Sequence, residues 1–149
     1  MMVFRKAMEA DLIDIVSMLA KDPLGSHRED LKHPEKYQQA FDIITKDDNQ
    51  ELMVVENERG EIIGTFHLTF IQYLTHQGSI RAQIESVRVR EDQRGKGIGE
   101  KMFRWAIHRA KEKGAHLVQL TSDKKRPDAI RFYEKLGFTA SHEGLKRSV

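Results

Sequence analysis

The chain has 149 residues, 25 Lys and Arg against 23 Asp and Glu for a formal net charge of +2, and no cysteine. That length suits a single domain spanning residues 1–149 with a core that needs no metal or disulfide staple, and the missing cysteine excludes disulfides, thiolate zinc sites and a cysteine nucleophile together. The balanced charge lacks the basic field that grips nucleic acid, no apolar run approaches the roughly 20 residues that span a bilayer, and Met1-Met2-Val3-Phe4-Arg5-Lys6 lacks a signal-peptide core, so the expectation is a cytoplasmic protein bound to neither nucleic acid nor membrane.

Val3 to Lys6 reads as a first short strand. A helix begins at Glu9-Ala10-Asp11, because Leu12, Ile15, Val16 and Leu19 recur at i, i+3, i+4, i+7 and form one apolar face. Lys21 to Lys32 holds Pro23, Gly25, Ser26 and many charges without periodicity, which predicts a loop. Pro34 suits the first turn of a second helix, with Tyr37, Ala40, Phe41 and Ile44 on one face and Asp47-Asp48-Asn49 at its end. Leu52 to Glu56 and Ile62 to Tyr73 form a hairpin about the turn Asn57 to Gly60, and after a second turn near Thr75 to Ser79 the run Ile80 to Arg90 completes an antiparallel meander.

Next comes Gln93-Arg94-Gly95-Lys96-Gly97-Ile98-Gly99, three glycines at alternate positions between a strand and a long helical run. Glycine admits φ > 0 and lets a ligand approach the main chain, and the free N–H groups of the following helix favour an anion, most often a phosphate. It is not a Walker loop, which needs GxxxxGK and then Ser or Thr, and the spacing GxGxG is not the GxGxxG of a dinucleotide fold. The helix runs from about Ile98 to Lys113, burying Ile98, Met102, Phe103, Ala106 and Ile107, with Gly114 as its cap. Leu117 to Thr121 is then a buried strand, expected parallel to residues 84 to 90 because a helical crossover joins them. Pro127 opens a last helix, Gly137 closes it, and Phe138 to Ala140 with Leu145 to Arg147 can supply two final strands. The class is α/β, a mixed and mostly antiparallel sheet with helices on both faces.

The strand Ile84-Glu85-Ser86-Val87-Arg88-Val89, the polar link Arg90 to Asp92 and the glycine turn together resemble the pyrophosphate-binding motif of the GNAT family of N-acetyltransferases. Ala129-Ile130-Arg131-Phe132-Tyr133-Glu134-Lys135-Leu136-Gly137-Phe138 resembles the helix-then-strand element of the same family. The resemblance in letters covers residues 84 to 140 and implies a parallel β-α-β unit at a cofactor site. It implies acetyl-CoA as cosubstrate and no metal, with the backbone of Val87 and Val89 on the pantetheine arm and the N–H groups of Arg94, Gly95, Lys96, Gly97, Ile98 and Gly99 on the pyrophosphate.

The resemblance also implies two catalytic side chains. Tyr133 matches the tyrosine that protonates the departing thiolate, and a phenol is protonated at neutral pH; read from its apolar neighbours Ile130, Phe132 and Leu136 alone, it is a core tyrosine of an amphipathic helix. Glu85 stands where several members place a carboxylate that accepts the amine's proton. Strand alternation puts it on the face of Val87 and Val89, with apolar neighbours that predict partial desolvation, although a solvated strand glutamate reads the same way. Where many members carry Asn seven residues before the tyrosine, this chain has Arg126, within the basic stretch Thr121 to Pro127. That stretch either meets the phosphates of CoA or is a solvated loop.

The seven histidines show no metal-ligand spacing, and His67 could share a strand face with a substrate. The reading is an N-acetyltransferase in which an amine attacks the thioester directly, since no cysteine can carry an acyl group. The acceptor is expected against the first two helices, the loop 22–33 and the last hairpin, a small-molecule amine before a protein N-terminus or lysine. A non-catalytic CoA-binding sensor of the same fold is the alternative, and the resemblance allows a homodimer through the C-terminal strands.

Overall fold

The computed structural model describes residues 1–23 and 25–149. Strands β1 (Val3–Lys6), β2 (Gln50–Glu56), β3 (Ile62–Gln72), β4 (Ile80–Val89) and β5 (Ala115–Gln119) lie side by side in that order. The first four pair antiparallel, and β5 runs parallel to β4. The helices are α1 (Leu12–Lys21), α2 (Glu35–Lys46), the one-turn α3 (Thr75–Gly78), α4 (Ile98–Glu112) and α5 (Pro127–Lys135). Among the described residues no helix is long and apolar enough to cross a membrane.

Alternation along the central strands builds two apolar layers. Phe66, Leu68, Phe70 and Ile84 face α4, which buries Ile98, Met102, Phe103, Ala106 and Ala110 against them. Fully burying a side chain such as Phe66 or Met102 contributes about 1.5–3 kcal/mol. Ala110, one turn beyond Ala106, continues this stripe, and Ile107, expected in it, is half-buried at its margin. On the opposite face α1 sets Ile15 and Met18 against Val54 and Ile62. Arg109 of α4 reaches the start of β2, where its Nη2 donates to Glu51 Oε2 at 2.7 Å and holds that buried carboxyl below the usual carboxylate range.

Three expectations are corrected. First, no strand is formed after α5 among the described residues, so the sheet has five strands and not seven. Phe138 is half-buried against Phe103, but Leu145 is 95% exposed, and neither three-residue segment has enough apolar surface to hold a sheet edge. Second, β5 pairs with the beginning of β4, Ile80 with Ala115 through Gln83 with Gln119, and not with residues 84 to 90. Third, a bulge interrupts β4: the register steps from His67–Glu85 to Thr65–Arg88, which inserts one residue, and Ser86 takes φ 55°. The extra residue shifts alternation, so Glu85 shares a face with Arg88 and not with Val87 and Val89.

Candidate active site

The short β4–β5 register positions the site. From Glu85 to Val89, β4 stays paired with β3 on one side, while β5 has already parted from it on the other. Main-chain groups along that half of β4 are thereby left at an edge inside the molecule, where an extended polar ligand can lie. Side chains take some of the carbonyls: Arg88 Nη1 donates to Val87 O at 3.0 Å and Arg94 Nε to Val89 O at 3.2 Å. The Val87 and Val89 side chains pack on the α4 layer.

At the end of this edge lies the glycine turn. Gly95 and Gly97 take φ of 77° and 78°, the left-handed region that favours glycine. Gly97 is the residue before α4, and no side chain caps the helix there. The first N–H groups of a helix have no partner within it, and among the described residues no chain carbonyl accepts from the N–H groups of residues 95–99. A Cβ at Gly95 or Gly97 would meet nothing within 4 Å, and one at Gly99 would only touch Phe132 Cζ at 3.9 Å. Packing thus gives no reason for glycine at 99, whereas close approach of a ligand does. Arg94 and Lys96 are exposed beside these donors. Arg90 braces the approach, its Nε donating to Asp92 Oδ1 at 2.6 Å and its Nη1 to Glu61 Oε2 at 3.0 Å, and it lowers the Asp92 carboxyl to about 2. This turn, the α4 N-terminus and the β4 edge fit a pyrophosphate with an extended polar arm.

Tyr133 sits on α5, half-buried, with its ring 5.4 Å from that of Phe103 and 6.0 Å from that of Phe138. It belongs to the α4 layer. Glu85 faces the opposite side and is exposed, not desolvated, with Gln83 Nε2 donating to its Oε1 at 2.8 Å. The two come from opposite faces of the sheet, which the parting of β4 and β5 opens between them.

On the Glu85 side, α1, α2 and β3 enclose a cavity of about 120 Å³ lined by Ile15, Leu19, Phe41, Thr65, His67 and Ser86 among others. Its lining is apolar apart from Tyr37 of α2 and the β3 and β4 residues Thr65, His67 and Ser86. His67 stands directly across from Glu85 in register, and its Nε2 lies 2.9 Å from Gln50 Oε1. Burial pushes the His67 pKa below its ordinary value of 6.5, against the pull of the Glu85 charge. His67 therefore lies in the site, where the letters only allowed it; its signal was its place opposite Glu85. Arg88 was missed altogether, being one arginine in an alternating strand.

The model of the acetyltransferase (GNAT) family matches residues 14–138. An aminoalkylphosphonate N-acetyltransferase of Salmonella typhimurium is 35% identical over 83 residues, 56% of this chain and 53% of that protein. The chain spans about half the length of the curated relatives it matches first. Among solved structures, a transcriptional regulator from Bacillus halodurans C-125 is 54% identical, with a TM-score of 0.95 over 100% of both chains. Glucosamine-6-phosphate N-acetyltransferase from Arabidopsis thaliana shares the fold at 22% identity, with a TM-score of 0.81 over 99% of this chain and 98% of that one.

Proposed function

The chain belongs to the GNAT acetyltransferase family, and from that premise we propose that it transfers an acetyl group from acetyl-CoA to the primary amine of a small molecule, by direct attack within a ternary complex. The observation that carries this reading is the unpaired β4 edge running into an uncapped α4 N-terminus behind Gly95 and Gly97. Acetyl-CoA supplies a thioester carbonyl open to attack and a thiolate that can leave. The N–H groups of Gly95 to Gly99 bind the pyrophosphate, while that of Arg94, expected among them, donates to Glu91 O at 3.4 Å, and the β4 backbone at Val87 and Val89 aligns the arm. Holding two reactants in line accounts for most of the acceleration such a transfer needs. Glu85 accepts the proton of the incoming amine, directly or through water, and Tyr133 gives a proton to the sulfur. His67, kept neutral by burial, lines the floor beneath the amine.

The size of the cavity and its walls of Ile15, Leu19 and Phe41 support a small acceptor with an aliphatic part. The relatives are named for small acceptors as well, an aminoalkylphosphonate and glucosamine 6-phosphate. Thiol release from acetyl-CoA, followed across a panel of small amines, tests the reading, and intersecting initial-rate lines are expected for a ternary complex. Parallel lines would contradict direct attack. The Bacillus halodurans relative favours a second reading, a regulator built on the same fold; CoA binding without turnover of any amine, together with a salt-dependent shift of duplex DNA, would select it.

A further inference from the structure

The protonation of the His67 ring is set by a chain of hydrogen bonds that starts at Asp47, the residue ending α2. The Asp47 carboxylate accepts from Gln50 Nε2 on Oδ2 at 2.9 Å and from the Asn49 N–H on Oδ1 at 2.8 Å, and both bonds hold it below the usual carboxylate range. An ionised carboxylate can only accept, so the Gln50 amide turns its NH2 to Asp47 and its oxygen the other way; the reverse orientation would set oxygen against oxygen. Gln50 Oε1 lies 2.9 Å from His67 Nε2. That oxygen can only accept as well, so Nε2 carries the proton, and in the neutral ring Nδ1 keeps its lone pair.

Nδ1 is the polar atom His67 has left to offer. Among the described residues it makes no hydrogen bond, yet it is not one of the buried side-chain atoms left without a partner. It therefore faces open space, and the space His67 lines is the acceptor cavity. Glu85 is paired directly across the ladder from His67, which sets their Cβ atoms about 5 Å apart on one face. A nitrogen seated between the two side chains meets two acceptors. The neutral amine of a primary acceptor has two N–H groups for them and a lone pair for the thioester carbon.

We propose, resting on the transferase reading, that His67 Nδ1 accepts one N–H of the attacking amine while Glu85 takes the proton of the other, so that Asp47, Gln50 and His67 select primary over secondary amines. Asp47 and Gln50 are positioning residues, and His67 touches the substrate. The amine lone pair forms the C–N bond, the C–S bond breaks with its electron pair on sulfur, Glu85 takes one N–H proton, and Tyr133 protonates the thiolate. Protonating Glu85 discharges a carboxylate, whereas protonating His67 would create a charge at a buried position. The N–H that survives in the amide product is the one held by His67. A secondary amine spends its single N–H on Glu85 and leaves Nδ1 facing a carbon, and a site built to bond an N–H rejects an analogue that lacks it.

The test follows thiol release from acetyl-CoA for propylamine, isopentylamine and 2-aminoethylphosphonate, each beside its N-methyl derivative. For every primary amine that turns over, kcat/KM is expected to exceed that of the N-methyl form by about tenfold or more. In His67→Gln, whose amide reaches only the Nε2 position, the ratio is expected to collapse toward unity; in His67→Asn, whose oxygen stands where Nδ1 stood, it is expected to persist. Crowding by the methyl group would act the other way, the smaller asparagine relaxing the ratio and glutamine keeping it, and that result would overturn the proposal. Stabilisation by CoA checks that both variants fold. A second readout needs no acceptor: nitrogen NMR of the free chain is expected to show His67 as the Nε2–H tautomer, and as a mixture of tautomers in Gln50→Met. An Nδ1–H tautomer in the native chain would overturn the proposal whatever the chain acetylates. Turnover of no amine, with CoA leaving the unfolding temperature unmoved, would instead overturn the transferase reading.

Discussion

Gln83 of β4 and Gln119 of β5 are joined twice, in strand register and through Gln119 Nε2 donating to Gln83 Oε1 at 3.0 Å, and beyond them the two strands separate. The pair acts as the hinge pin of the site. It holds the sheet closed up to residue 83 and leaves the following half of β4 as an edge. The glycine turn and α4 then start where that edge ends.

Gly99→Ala separates binding from folding. Its new methyl would touch only Phe132 at 3.9 Å, and alanine is the better helix former by up to about 1 kcal/mol. Stability in urea is expected to hold or rise slightly. Acetyl-CoA affinity is expected to fall by about tenfold or more, or about 1.4 kcal/mol, in a titration by calorimetry.

Tyr133→Phe keeps the ring that packs 5.4 Å from Phe103 and removes only the hydroxyl. A saturating assay is expected to show kcat lowered on the order of 100-fold, the usual scale for a lost general acid, with acetyl-CoA affinity unchanged. An unaltered kcat would assign Tyr133 to the core alone.

Glu85→Gln is isosteric at an exposed position, so the fold should not notice it. The rate is expected to drop and its pH profile to lose the limb on which a base must be deprotonated. If the profile keeps its shape, the proton leaves by another route, and His67 across the ladder becomes the residue to change next.

His67 carries a pH signature in stability. Burial lowers its pKa in the folded chain below 6.5, so between that lowered value and 6.5 the unfolded chain binds more protons. Its contribution is therefore complete above about pH 6.5 and is lost as pH falls through the folded value, with a slope of at most about 1.4 kcal/mol per pH unit. The lowered carboxyls of Asp11 and Glu51 titrate from 3.8 and 4.5 downward and leave this window clear. Urea midpoints compared at pH 7.5 and 5.5 are expected to differ more in the native chain than in His67→Gln.

Periodicity made most of this fold legible, because α1, α2, α4 and α5 each have one apolar stripe and the central strands are bounded by turn residues. The β4 bulge had a faint signal that was passed over: in Ile84-Glu85-Ser86-Val87-Arg88-Val89 the consecutive polar residues Glu85 and Ser86 break the alternation, and counting on through them by strict period 2 put Glu85 on the wrong face. The parallel register of β5 depends on how α4 docks, which its sequence does not encode locally. Arg88 read as an ordinary strand arginine, since only the folded chain sets it opposite Thr65 and pairs it with Asp22. The glycine turn was readable because its chemistry lies in the backbone.

The most direct test of the account is thermal unfolding with acetyl-CoA, CoA, ATP and NAD compared side by side, which requires no knowledge of the acceptor. A ligand at about 100 times its Kd adds roughly 2.7 kcal/mol, on the order of 5–10 °C for a chain of this size. The account predicts shifts of that order with acetyl-CoA and CoA and none with NAD. An unfolding temperature unmoved by saturating acetyl-CoA would contradict it and make the glycine turn a structural feature only.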